Sequence, residues 1–153
     1  MKNIFFILSF ILLISCSSST KNTDSDSKKE AKEDVQLEVN RFEFITTKTE
    51  QKGENTNVME LYCPITNFDL GALKLLCEKQ KNNFNGFFLF IVVFDNKENA
   101  AFPTDPFTAN YGMEDKKMKH IKAYYTFNSV NSYSKLAVYE NNMYESVAQE
   151  IDI

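Results

Sequence analysis

Phe87-Phe88-Leu89-Phe90-Ile91-Val92-Val93-Phe94 is a run of eight apolar residues, bounded by Asn85-Gly86 and Asp95-Asn96. The run is short, β-branched and aromatic, and shows no alternation. That pattern predicts a strand covered on both faces, the central strand of a sheet. Left open to water it would be an aggregation hazard. Something must cover each side of it.

One cover lies immediately upstream. Leu70, Leu73, Leu76, Cys77 and Phe84 recur near helical spacing, while Lys74, Glu78, Lys79 and Lys81 fall elsewhere on the wheel. Thr66, three residues before Asp69, gives a capping-box pattern at the start, and Asn82-Asn83 with Asn85-Gly86 ends the helix. The other face of the central strand needs the Asn99–Met113 loop, or a partner.

Further upstream, Val35 to Thr47 predicts a first strand. Leu37 and Val39 alternate with polar residues, and Phe42 and Phe44 alternate on the opposite parity. A parity switch near Arg41 predicts a bulge or a twist. Lys48 to Asn57 is polar and predicts a loop. Val58 to Cys63 is a second strand with Met59, Leu61 and Cys63 on one face, stopped by Pro64.

Downstream, Lys97 to Lys119 has no clean period. Ala100-Ala101-Phe102 suggests a short strand, followed by Phe107 and Tyr111 among Asp105, Glu114 and Asp115. Long irregular stretches in compact domains either work or cover the core. His120 to Phe127 and Tyr133 to Tyr139 each alternate, which predicts an antiparallel hairpin. Met143 to Ile153 stays unassigned. The sum is one α+β domain over residues 35–153, a largely antiparallel sheet with one main helix in the order β-β-α-β-(β)-β-β.

Catalytic clusters are sparse in this sequence. The chain has a single His, His120, and neither Cys63 nor Cys77 has a CxxC partner. Metal sites need clusters of such residues, so neither a metal nor a cofactor is expected. There is no GxSxG, P-loop or GxGxxG pattern. Cys63 with His120 would be the one nucleophile–base pairing, and Glu114-Asp115 the one adjacent acidic pair in the irregular stretch. No catalytic residue is assigned. The aromatic residues suggest contact instead. Phe102, Phe107, Tyr111, Tyr124, Tyr133 and Tyr139 form the candidate binding surface, because such rings offer contact area at low entropic cost. Strand propensity and turn chemistry explain the same tyrosines and their Asn neighbours equally well.

The N-terminus carries an address. Lys2 precedes an apolar run from Ile4 to Leu13, about ten residues and too short for a bilayer, which takes around 20. A charge, a short apolar core and a small residue before a cut describe a signal peptide. Leu13-Ile14-Ser15-Cys16 resembles the lipobox of bacterial lipoproteins. The resemblance covers residues 1–16 only. It implies cleavage after Ser15, lipidation of Cys16 and acylation of the new amine. Several chains are needed because one acyl chain anchors only marginally. Ser17, rather than Asp, leans towards the outer membrane. Asp24 and Asp26 resemble the acidic tags of surface-exposed lipoproteins, although those tags sit closer to the Cys.

Ser17 to Asp34 has five Ser, four Lys and five acidic residues, with Ala31 as its one aliphatic residue. It cannot bury enough apolar surface to order itself and is expected to be a tether. The mature chain, residues 16–153, carries a net charge of −5 once Lys2 is removed. That balance gives no basis for nucleic acid binding, and no basic amphipathic helix reads anionic lipid. The membrane is a partner only through the N-terminal lipid. With Cys16 used as the anchor, Cys63 and Cys77 remain. An even pair in an oxidising compartment is a disulfide candidate; the alternative is two buried thiols that never meet. The expected function is a lipid-anchored, non-catalytic envelope module that binds a protein or ligand. A small envelope hydrolase and an immunity or inhibitor lipoprotein are the alternatives.

Overall fold

The computed structural model describes residues 41–104 and 113–153. The lipobox with Cys16, the tether, Val35 to Asn40, Phe107 and Tyr111 lie outside the described residues.

The described chain forms β1 (Phe42–Lys52), β2 (Asn55–Pro64), α1 (Leu70–Asn83), β3 (Phe88–Phe94), a 3-10 turn (Lys97–Asn99), α2 (Asp115–Met118), β4 (Ile121–Asn128), β5 (Tyr133–Val138) and β6 (Gln149–Asp152). The strands make one six-stranded sheet in the order β1-β2-β3-β4-β5-β6. The architecture is α+β and mostly sheet, with one main helix.

The sheet is largely antiparallel, as expected, but it has one parallel pair and the expected strand order is corrected. The sheet is mixed: β2 and β3 are parallel, and every other neighbouring pair is antiparallel. A parallel pair needs a crossover connection, and α1 supplies it. Ala100 to Phe102 forms no strand, and the sixth strand comes from the unassigned C-terminal segment. Four residues, from Gln149 to Asp152, are too few to announce a strand by alternation.

The β1–β2 connection is also tighter than expected. The polar stretch from Lys48 onward is strand, and the turn is only Gly53-Glu54. Gly53 takes the left-handed conformation at φ 63° that a turn this tight requires of it. The polar residues are polar because β1 is an edge strand. Its bulge falls at Ile45, between Phe44 and Thr46, rather than near Arg41. A bulge with Lys48 and Lys52 on an edge discourages further strand pairing.

β3 is covered on both faces, as its sequence demands. Leu89, Ile91 and Val93 pack towards α1 with Ala72, Leu73, Leu76, Cys77, Ala123, Tyr125 and Leu136. Phe90, Val92 and Phe94 pack on the second face with Met59, Leu61, Met113, Ile121 and Tyr124. Each Leu, Ile, Val, Phe or Met side chain among them contributes about 1.5–3 kcal/mol by leaving water. The chain segment around Ala100, Phe102 and Met113 covers part of the second face.

α1 begins one turn later than the capping-box spacing implies. Asp69 is itself the cap, accepting the Ala72 N–H at 3.0 Å. The Arg41 guanidinium pairs with the same carboxylate. The Ala72 N–H bond, followed by Arg41, holds the Asp69 carboxyl below the usual range. At the other end Lys81 donates to the Ile153 carbonyl at 2.6 Å, which ties the helix C-terminus to the end of the sheet.

Candidate functional site

Period two decides where the cysteines lie. α1 packs on the β2 face that carries Val58 and Tyr62. Met59 and Leu61 point to the second face, and Cys63 has their parity. Cys77, within α1, belongs to the helix-side cluster. Both cysteines are free and buried. The candidate Cys63–Cys77 bridge is therefore corrected, because the sheet itself stands between the thiols. Cys63 Sγ lies 3.9 Å from Glu43 Oε2, its cross-strand partner on β1. Glu43 in turn pairs with Lys97. Burial, then Glu43, pushes the Cys63 thiol up. Burial pushes Cys77 up further. A reactive cysteine needs the opposite shift.

His120 has its own company. Its Nδ1 lies 2.9 Å from Asp95 Oδ2 and 3.0 Å from Asn99 Nδ2. The thiol of Cys63 and the imidazole of His120 thus have separate partners, and the nucleophile–base pairing does not form. Glu114 is held by Lys116 at 2.6 Å, and that bond lowers its carboxyl. A lowered, exposed carboxylate is a poor general acid at neutral pH. Among the described residues no three His, Cys, Asp or Glu side chains gather as a metal site would. No described helix is long and apolar enough to cross a membrane.

The candidate binding residues converge better. Register puts Tyr124, opposite Ala137, on the same face as Tyr133, opposite Asn128. Tyr124, Tyr139 and Phe102 all pack in the second-face cluster. Tyr124 is buried within it, Tyr139 and Phe102 are half-buried, and Tyr133 is exposed. Burial raises the phenols of both Tyr124 and Tyr139. Phe88 stacks on Phe90 with ring centroids 5.6 Å apart, and Phe90 meets Tyr124 at 5.9 Å. Phe102 also lines a cavity of about 240 Å³ with Ala101, Thr104, Met113, Glu114 and Lys117.

Other aromatic and Asn residues do structural work. Tyr125 is fully buried on the helix side and bonds Ser134 Oγ at 2.9 Å. Asn128, Asn131 and Asn142 use their side-chain oxygens to accept backbone N–H groups in turns. The Tyr- and Asn-rich segment is thus not one surface.

Strand parity placed Met59 with Leu61, but the sequence did not show that the other methionines would join them. All four beyond Met1, namely Met59, Met113, Met118 and Met143, belong to the second-face cluster. They are scattered along the chain with no shared period, so no local pattern announces them. Thioether chains are flexible and polarisable, and they are favoured where a surface must adapt to what it meets. No family model, no curated protein and no solved structure matches this chain.

Proposed function

We propose that this protein is a lipid-anchored module of the bacterial cell envelope that binds a protein partner through the second face of its sheet. The observation that carries the binding role is the composition of that face. Phe102, Met118, Tyr139 and Met143 are half-buried on it and Tyr133 is exposed, over a buried layer that holds Met59, Met113 and Tyr124, and α1 occupies the other side. Aromatic residues and Met are the side chains enriched in protein interfaces. The anchor rests on Leu13-Ile14-Ser15-Cys16 and on the polar tract that follows it. The polar composition of Ser17 to Asp34 supports reading that tract as the link between anchor and domain.

Two measurements test the two halves separately. Palmitate labelling of cells carrying the full chain is expected to mark the wild type and to vanish with Cys16→Ala, which also stays uncleaved at Ser15. Labelling that survives Cys16→Ala defeats the anchor. A tagged full chain from solubilised membranes is expected to hold a partner that Tyr133→Asp releases. An empty pull-down beside clear turnover in a hydrolase screen defeats the binding role.

A further inference from the structure

A second concave feature lies at the loops on one end of the sheet, where Phe87 meets Phe88 edge to face with ring centroids 4.8 Å apart. The β1–β2 turn supplies Glu54, Asn55 and Thr56; the loop from α1 to β3 supplies Asn85, Gly86 and Phe87; the β4–β5 turn supplies Ser129 and Val130. Together they line a cavity of about 270 Å³. Its three loops are stitched into one body. The Phe87 N–H donates to the Thr56 carbonyl at 2.7 Å, and the Ser129 N–H donates to the Phe87 carbonyl at 3.1 Å. Ser129 Oγ donates to the Gly86 carbonyl at 2.8 Å. Gly86 makes the approach possible: a Cβ there would sit 2.7 Å from the Thr56 carbonyl oxygen and 2.4 Å from the Phe84 ring. The cavity is therefore formed before anything enters it, which lowers the ordering cost of binding.

The unused groups define the ligand. The side chains of Glu54, Asn55 and Asn85 have no hydrogen-bond or ion-pair partner among the described residues. No Lys, Arg or His lines the cavity, and its one charge is a carboxylate, so an anion is disfavoured. It has no Cys or His for a transition metal, and only Phe87 and Val130 for an apolar tail. Two free amides, one carboxylate and one aromatic residue match a molecule with several hydroxyls and an apolar C–H face. The amides each offer donors and an acceptor, and the carboxylate accepts. At this volume the cavity falls just under the roughly 300–1,000 Å³ of ordinary ligand clefts, room for a single ring.

We propose that this cavity is a binding subsite for one ring of a neutral saccharide, with Asn55, Asn85 and Glu54 meeting its hydroxyls and Phe87 its C–H face. The site shares no residue with the aromatic face, so it stands or falls independently of partner binding there. The test is calorimetric titration of the full chain in detergent with maltotriose, with a β1,4-linked N-acetylglucosamine trimer, and with inorganic phosphate. Saturable binding of at least one trimer is expected, weakened about tenfold or more by Asn85→Ala. Glu54→Gln should weaken it as well, while Tyr133→Asp leaves it unchanged. These variants alter exposed side chains, so the fold persists in each. Binding of neither trimer, binding of phosphate instead, or sugar binding indifferent to Asn85→Ala and Glu54→Gln would overturn the proposal.

Discussion

Cys63 and Cys77 lie on opposite sides of one sheet, Cys63 on β2 aligned with Met59 and Leu61 and Cys77 on α1, which packs against the other face. A disulfide needs Cα atoms within about 7 Å and Cβ vectors that converge. With Cys63 pointing away from the face on which α1 packs, the Cβ vectors do not converge. Alkylation in denaturant without reductant is therefore expected to modify both cysteines. Under native conditions Cys77, which is fully buried, should react far more slowly than in denaturant. A Cys63–Cys77 crosslinked peptide in a non-reducing map would refute this arrangement.

The helix-side layer depends on few side chains. Leu73 and Leu76 are buried against Leu89, Ile91 and Val93. Leu76→Ala removes contacts that the rigid sheet cannot move to refill. The expected loss is about 2–5 kcal/mol, read as a lower urea midpoint with an unchanged slope. The exposed Lys79→Ala should cost less than about 0.5 kcal/mol. Equal losses at the two positions would place the core elsewhere.

Glu60 introduces a pH dependence with a definite sign. Its carboxylate accepts the Tyr62 hydroxyl at 2.9 Å, and Gln80 Nε2 donates to the same hydroxyl oxygen at 2.9 Å. Burial raises the Glu60 carboxyl, outweighing the Tyr62 bond. The folded state then holds its proton more tightly than the unfolded chain does. This group's contribution to stability falls as pH rises from the ordinary carboxylate value through the raised one. Glu60→Gln keeps an acceptor for Tyr62 and removes the charge. At neutral pH the variant should melt at or above the wild-type temperature, with its relative advantage lost on acidification. A variant that melts lower at neutral pH and recovers in acid would reverse the sign.

The legible parts of the fold were those written in unbroken local patterns. Phe87 to Phe94 declared a two-sided strand because nothing in it is polar. The leucines of α1 declared a helix because their spacing repeats. Parallel pairing of β2 with β3 was not legible, since no residue in either strand encodes its neighbour's direction. The polar run through β1 looked like a loop because an edge strand with one exposed face has the composition of a loop. The cysteine geometry failed for a related reason. Strand parity correctly grouped Met59, Leu61 and Cys63, but parity does not say which face the helix will choose. Among the candidate contact residues, Phe102, Tyr124 and Tyr139 pack in one cluster, and register puts Tyr133 on the same face. Met113, Met118 and Met143 joined Met59 there unannounced, because residues so far apart in sequence meet only in three dimensions.

Photocrosslinking tests the binding face most directly. A benzophenone amino acid replaces Tyr133, exposed on the second face, or Lys79, exposed on α1, in the full chain expressed in its own cells. The expected result is a discrete crosslinked product from position 133 and none from position 79. A product from position 79 without one from position 133 would contradict the proposal that this protein meets its partner through the aromatic and methionine-lined face.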